Sequence, residues 1–250
     1  MTELLPPDVS LAASATLVIA AFFTAALTAA VGLGGGILLL ALMALFVPAA
    51  AIVPLHGVVQ LASNAGRALV QGRHARASVV AWFALGAIFG VVAGGQVVFA
   101  LPPAVLRGVL AVFLLYAVWG PRPRIGRAGP WVLVVGGIVA SFLTMFVGAT
   151  GPFVMTVLIP TTTDRLQLVG SHAIGMTLQH GLKVAVFGAL GFAFGPWLGL
   201  LAAMVTSGFL GTLVGARILR RTSETRFRAV FRAMMTALAV VLGARALMSF

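Results

Sequence analysis

The chain has 250 residues, of which 61% are hydrophobic and only 8% charged, a balance that excludes a soluble domain of this length. The formal net charge is +12, but most of the arginines fall in short stretches between long apolar runs. That pattern writes membrane topology and argues against nucleic-acid binding. Cysteine is absent, which excludes a disulfide framework, thiol chemistry and thiolate metal sites.

The apolar runs are continuous and recur at about the length of a bilayer crossing, which points to an all-α polytopic membrane protein and away from a β-barrel. The start, M-T-E-L-L-P-P-D-V-S, lacks the positive region of a cleaved signal peptide. Ten segments are expected. The first covers 11–31. The second, 35–47, is too short for a comfortable crossing and is bounded by Gly34 and Pro48. The third, 51–71, ends at the basic Gly72, Arg73, His74, Arg76 stretch. The fourth, 79–101, carries Gly86, Gly90 and Gly94 at a spacing that lets helix backbones approach closely in lipid. Pro102 and Pro103 open the fifth, which ends near Gly120.

Residues 121–129, with Arg122, Arg124 and Arg127, form a basic cytoplasmic linker between the halves 1–120 and 130–250. The sixth segment covers 130–148. The short seventh, 152–159, is closed by Pro160 and T-T-T-D-R. The eighth covers 166–188. The ninth opens near Pro196 and carries Ser207, Gly211 and Gly215. Arg217, Arg220, Arg221, Arg226 and Arg228 precede the tenth, 229–247. The small-residue stripes suit contacts within one chain or between two, so a homodimer is among the expectations.

The halves resemble each other. An ungapped shift of 116 residues pairs Gly32 with Gly148, Gly35 with Gly151, His56 with His172, Asn64 with His180 and Arg67 with Lys183. All the basic loops fall on one side of the membrane if Arg73–Arg76 is cytoplasmic, which places both termini outside. Five segments per half then make the second copy inverted relative to the first. Inverted repeats interrupted by broken or re-entrant short helices at matching places are the sequence pointer to a secondary transporter.

On a helix, His56, Gln60, Ser63, Asn64 and Arg67 share one face, as do His172, Gln179, His180 and Lys183. Polar stripes in a membrane face protein or water. One reading is hydrogen-bonded glue between helices. The other is a ligand site, favoured by a glycine break preceding both stripes at the same spacing. Each break, Gly34–Gly36 and Thr150–Gly151, opens a short helix whose free N–H groups suit an anion, with the Thr150 hydroxyl as an added donor. Close packing or a tight turn is the alternative for the glycines. Arg67 and Lys183 lie within about two turns of helix ends and either touch the ligand or snorkel to the interface. The only acids are Glu3, Asp8, Asp164 and Glu224, all outside the apolar segments. A cation site or carboxylate proton relay would normally need one within the membrane, so the expected partner is a small anion, with no metal and no cofactor. Proton coupling would have to use histidine.

The stretches V-G-L-G-G-G-I-L-L-L, Pro48 and H-G-V-V-Q-L-A-S-N-A-G-R, with the weaker copy V-G-A-T-G-P…S-H-A-I-G-M-T-L-Q-H-G-L-K, resemble the TauE/SafE family of membrane permeases, the sulfite exporters. The likeness covers nearly the whole chain. It implies export of sulfite, sulfoacetate or a related organosulfonate from a bacterial inner membrane. The second copy departs from the first, with Thr150 and Pro152 in place of glycines and His180 in place of Asn64, which makes a site drawn from both halves asymmetric. The anion is expected between the halves, on the N–H groups of Gly34, Gly35, Gly36, Thr150 and Gly151. His56, Gln60, Asn64, His172, Gln179 and His180 complete the shell. The leading function is alternating-access transport. An anion channel of the same architecture is the runner-up. A histidine-dependent intramembrane enzyme is disfavoured because the scattered serines have no carboxylate partner and no G-x-S-x-G pattern.

Overall fold

The computed structural model describes residues 6, 9–31, 34–99, 101–120, 126, 129–218, 233, 236–244 and 247–248. Among these residues every regular element is a helix: α1 Leu11–Val31, α2 Gly35–Phe46, α3 Ala49–Gln71, α4 Ala77–Phe99, α5 Pro103–Trp119, α6 Pro130–Val147, α7 Gly151–Leu158, α8 Arg165–Ala189 and α9 Leu198–Ile218. The boundaries follow the expected segments closely, because glycine, proline and the basic stretches punctuate them. Of the tenth segment, 236–244 is helical. Much of its remainder lies outside the described residues, with Arg220, Arg221, Arg226 and Arg228 and the linker arginines Arg122, Arg124 and Arg127.

Among the described residues four stretches are long and apolar enough to cross a membrane: Leu11–Ala29, Ala77–Val98, Pro130–Val147 and Gly195–Gly215. Helices α3 and α8 are longer still, at 23 and 25 residues, but the polar stripes lower their apolar content. The two short segments are helices as expected. α2 has 12 residues, and α7 has 8 before a 3-10 turn at Ile159–Thr161. At about 1.5 Å per residue neither reaches across a hydrocarbon core of about 30 Å.

The helices fall into two compact units that interleave along the chain. The first comprises 1–59, 101–121 and 193–250. Its main packing is α1 against α9, with α1 against α2 and α2 against α5 beside it. A Cβ added at Gly211 would lie 2.1 Å from the Phe22 carbonyl oxygen, and one at Gly215 would lie 2.3 Å from that of Ala26. The Ser207 hydroxyl donates to the Val18 carbonyl at 2.7 Å. The second stripe of small residues is therefore a backbone-to-backbone seam on α1.

The second unit comprises 60–100 and 122–192. Here α4 packs along α6 and, less extensively, α8. A Cβ at Gly86 would come within 1.9 Å of the Val134 carbonyl oxygen, and one at Gly90 within 2.2 Å of that of Ile138. Gly137 returns the contact against the Phe83 carbonyl. Each stripe thus seats on the first helix of the other half of the sequence. Beneath the seam lies an apolar core of Val79, Phe83, Ala87, Leu133, Ala140, Val154, Val157, Leu158 and Met176. At one end the Arg76 N–H donates to the Ser171 hydroxyl at 2.9 Å, and its guanidinium donates to the Thr161 carbonyl. The stretches that follow α3 and α7 therefore lie at the same end of this unit, the relative placement expected of two cytoplasmic loops. Asp164 is more than a loop acid: its Oδ1 accepts from the Leu166 and Gln167 N–H groups at 2.7 and 3.1 Å and caps α8.

Candidate functional site

Within the second unit, α6 stops at Gly148, whose φ of 68° is left-handed and whose N–H donates to the Thr144 carbonyl at 3.0 Å. A residue with a Cβ is strained there, so glycine ends the helix cleanly. Ala149 and Thr150 bridge to α7. Thr150 holds the position before α7 without capping it through its side chain. The first helical bond is Val154 N–H to the Thr150 carbonyl. The N–H groups of Gly151 and Phe153 therefore lack intrahelical acceptors, and Pro152 has no N–H to leave open.

Four buried side chains surround this break. Lys183, from α8, is 0% exposed. Its ammonium donates to the Gly148 carbonyl at 3.4 Å, a long bond that engages one of three donors. It does not snorkel to an interface. Gln179, one turn earlier and equally buried, ties three helices together. Its Nε2 donates to the Ser141 hydroxyl of α6 at 3.1 Å, and its Oε1 accepts from the Thr150 hydroxyl at 3.2 Å. The Thr150 proton is thus committed to Gln179. The donors this turn presents are backbone N–H groups and the lysine. Thr144 is fully buried, and its Oγ1 has no hydrogen-bond partner among the described residues.

The equivalent histidines make equivalent bonds. His172 Nε2 lies 3.1 Å from the Gly151 carbonyl, and in the first unit His56 Nε2 lies 2.9 Å from the Gly36 carbonyl. A carbonyl only accepts, so in both rings Nε2 carries the proton. Each histidine thereby fixes the first turn of its short helix, and both are buried. At α2 the preceding Gly34 has a φ of 104°, again a glycine-only conformation. Gly35 lies so close to the Thr24 carbonyl and the Thr28 hydroxyl that a Cβ would meet them at 1.9 and 2.2 Å. Close packing, one of the two readings open for these glycines, holds at Gly35. It does not at Gly151, where the nearest side chains are 3.8 and 3.9 Å from a built Cβ.

The two basic residues differ. Arg67 is partly exposed and donates to Asn64 Oδ1 at 2.5 Å, while Asn64 Nδ2 donates to the Gln60 carbonyl at 2.7 Å. This chain of bonds stays within α3. Gln60 itself is half-buried. His180 is fully buried one turn before Lys183 on the same face of α8. Sequence reasoning passed over Ser141 and Thr144. Their signal was a polar pair at i, i+3 in an otherwise apolar helix, aligned with Gly148 at i+7.

A family model described as sulfite exporter TauE/SafE matches residues 17–242, nearly the whole chain. No curated protein and no solved structure matches it. The family is one of membrane transporters for sulfur-compound anions and not of enzymes.

Proposed function

The chain belongs to the TauE/SafE sulfite exporter family, and on that premise we propose that it exports sulfite or a related small organosulfonate across a bacterial inner membrane. The observation that carries this reading is Lys183, a fully buried basic side chain beside the open N-terminus of α7, in a chain whose apolar segments hold no carboxylate. An ammonium taken out of water needs a counter-charge, and the described residues supply only a long bond to one carbonyl. A transported anion is the missing partner. The Gly151 and Phe153 N–H groups add the partial positive charge of a helix start. Gln179 and His172 hold that start in place, and His180 lies beside Lys183. Such a site holds an oxyanion by dipoles and one charge, which still permits release.

Transport proceeds by alternating access between inverted repeats 1–120 and 130–250, joined by the cytoplasmic linker 121–129. The offset of 116 residues, the matching histidine bonds and the reciprocal seating of the two glycine stripes support this arrangement. The test is flux of labelled sulfite, sulfate and a small cation in proteoliposomes under imposed pH and voltage gradients. Sulfite flux that exceeds protein-free vesicles and accelerates with anion on the opposite side is the expected result. Cation flux without sulfite flux would overturn the reading.

A further inference from the structure

We propose that the species carried is a monovalent anion and that Lys183 is its resident counter-charge, which selects by charge number between anions of the same shape. This rests on the exporter reading and narrows its substrate class. Lys183 is completely buried, and the Gly148 carbonyl at 3.4 Å is its only hydrogen-bond partner among the described residues. Gln179, one turn before it on α8, is bonded to the Ser141 and Thr150 hydroxyls, so this stretch brings neutral donors and acceptors to the turn. Among the described residues no carboxylate competes for it, because Asp164 caps α8 at that helix's other end. The other cation of the polar stripes, Arg67, is partly exposed and donates through one of its nitrogens to Asn64 within its own helix.

The electrostatic consequence is simple. One buried positive charge and one bound negative charge make a neutral pair, which crosses a poorly solvated region without a net charge to desolvate. A dianion on the same donors leaves one negative charge uncompensated. An uncharged molecule leaves the ammonium bare. The site therefore favours hydrogen sulfite or a sulfonate with no second acid group. It disfavours sulfate and sulfoacetate.

The experiment compares methanesulfonate with sulfate, two tetrahedral oxyanions of similar size, at neutral pH and with sulfite as the reference substrate. The full-length protein is reconstituted in proteoliposomes. Methanesulfonate flux should exceed sulfate flux by on the order of a hundredfold, the discrimination an unpaired charge imposes at low dielectric. In Lys183→Gln methanesulfonate flux should vanish, and Lys183→Arg should retain the preference for the monoanion. Equal fluxes of methanesulfonate and sulfate alongside sulfite transport would overturn this inference and leave the exporter reading intact. Wild-type methanesulfonate flux in Lys183→Gln would do the same. Absence of flux for all three anions would overturn the exporter reading and this inference with it. Should the glutamine variant fail to insert, the wild-type ratio still tests the charge preference, and loss of that preference in a Lys183→Arg protein that inserts would overturn the assignment to Lys183.

Discussion

His172 Nε2 lies 3.1 Å from the carbonyl oxygen of Gly151, twenty-one residues before it, and so binds a long helix to the first turn of a short one. The bond removes a buried polar orphan and fixes the direction in which the α7 N–H groups point. His56 does the same for α2 through Gly36 at 2.9 Å. The acceptors are one position out of register, since Gly151 pairs with Gly35 under the repeat offset. The counterpart of Gly36 is Pro152, which keeps its carbonyl but has no N–H.

Replacing His172 by Leu should therefore lower stability by about 0.5–1.5 kcal/mol, the net worth of one hydrogen bond, since the Gly151 carbonyl keeps its place in the α7 ladder. Transport should fall further than stability explains, because α7 loses its anchor. His172→Gln, which keeps a donor, should recover part of the flux. Thermal unfolding in detergent and sulfite flux on the same preparations check this. Equal behaviour of Leu and Gln would show that the bond does not set the site.

Asn64 offers a second test. Its Oδ1 takes the Arg67 guanidinium at 2.5 Å, so Asn64→Leu strands a half-buried charge and should destabilise by about 1.5–3 kcal/mol. In Asn64→Asp the new carboxylate keeps the guanidinium partnered, and the protein should stay as stable as wild type. Anion flux should still fall, because a fixed negative charge has entered the polar stripe. Melting temperature and flux should thus rank the two variants in opposite ways if Asn64 lies near the anion's path.

The glycine seams predict a sharp positional contrast. Gly86→Ala and Gly211→Ala push a methyl group into backbone carbonyls at 1.9 and 2.1 Å, where no side chain can move aside. Each should cost about 1–3 kcal/mol through forced separation of the helices. Gly108→Ala in α5 meets nothing within 4 Å and should be neutral or stabilising by up to about 1 kcal/mol, the helix-propensity gain. Thermal unfolding of the three variants separates packing from propensity.

Asp164→Ala removes the only side-chain cap of α8 and should cost about 0.5–2 kcal/mol, while Asp164→Ser should cost far less. Because α8 carries His172, Gln179 and Lys183, fraying should begin at the capped end and leave those deeper residues ordered. Amide exchange confined to the first turn of α8, with sulfite flux near wild type, is the expected outcome.

The helical class, the near-complete set of helix boundaries and the two short segments were legible in the residue order. Run length, glycine and proline punctuation and loop charge are one-dimensional signals that need no partner. The sign of the ligand was legible too, from the absence of carboxylates in the apolar runs. Packing was not. A glycine at every fourth position announces a close approach without naming the helix it approaches, and the structure seats Gly86 on Val134 and Gly211 on Phe22. Nor does sequence separate Arg67 from Lys183, which occupy the same place in the repeat. Arg67 finds its acceptor within its own helix, whereas Lys183 is fully buried and reaches the Gly148 carbonyl at the end of α6. Residues 35 positions apart along the chain become neighbours only when helices pack, so tertiary structure alone separates the buried Lys183 from the partly exposed Arg67.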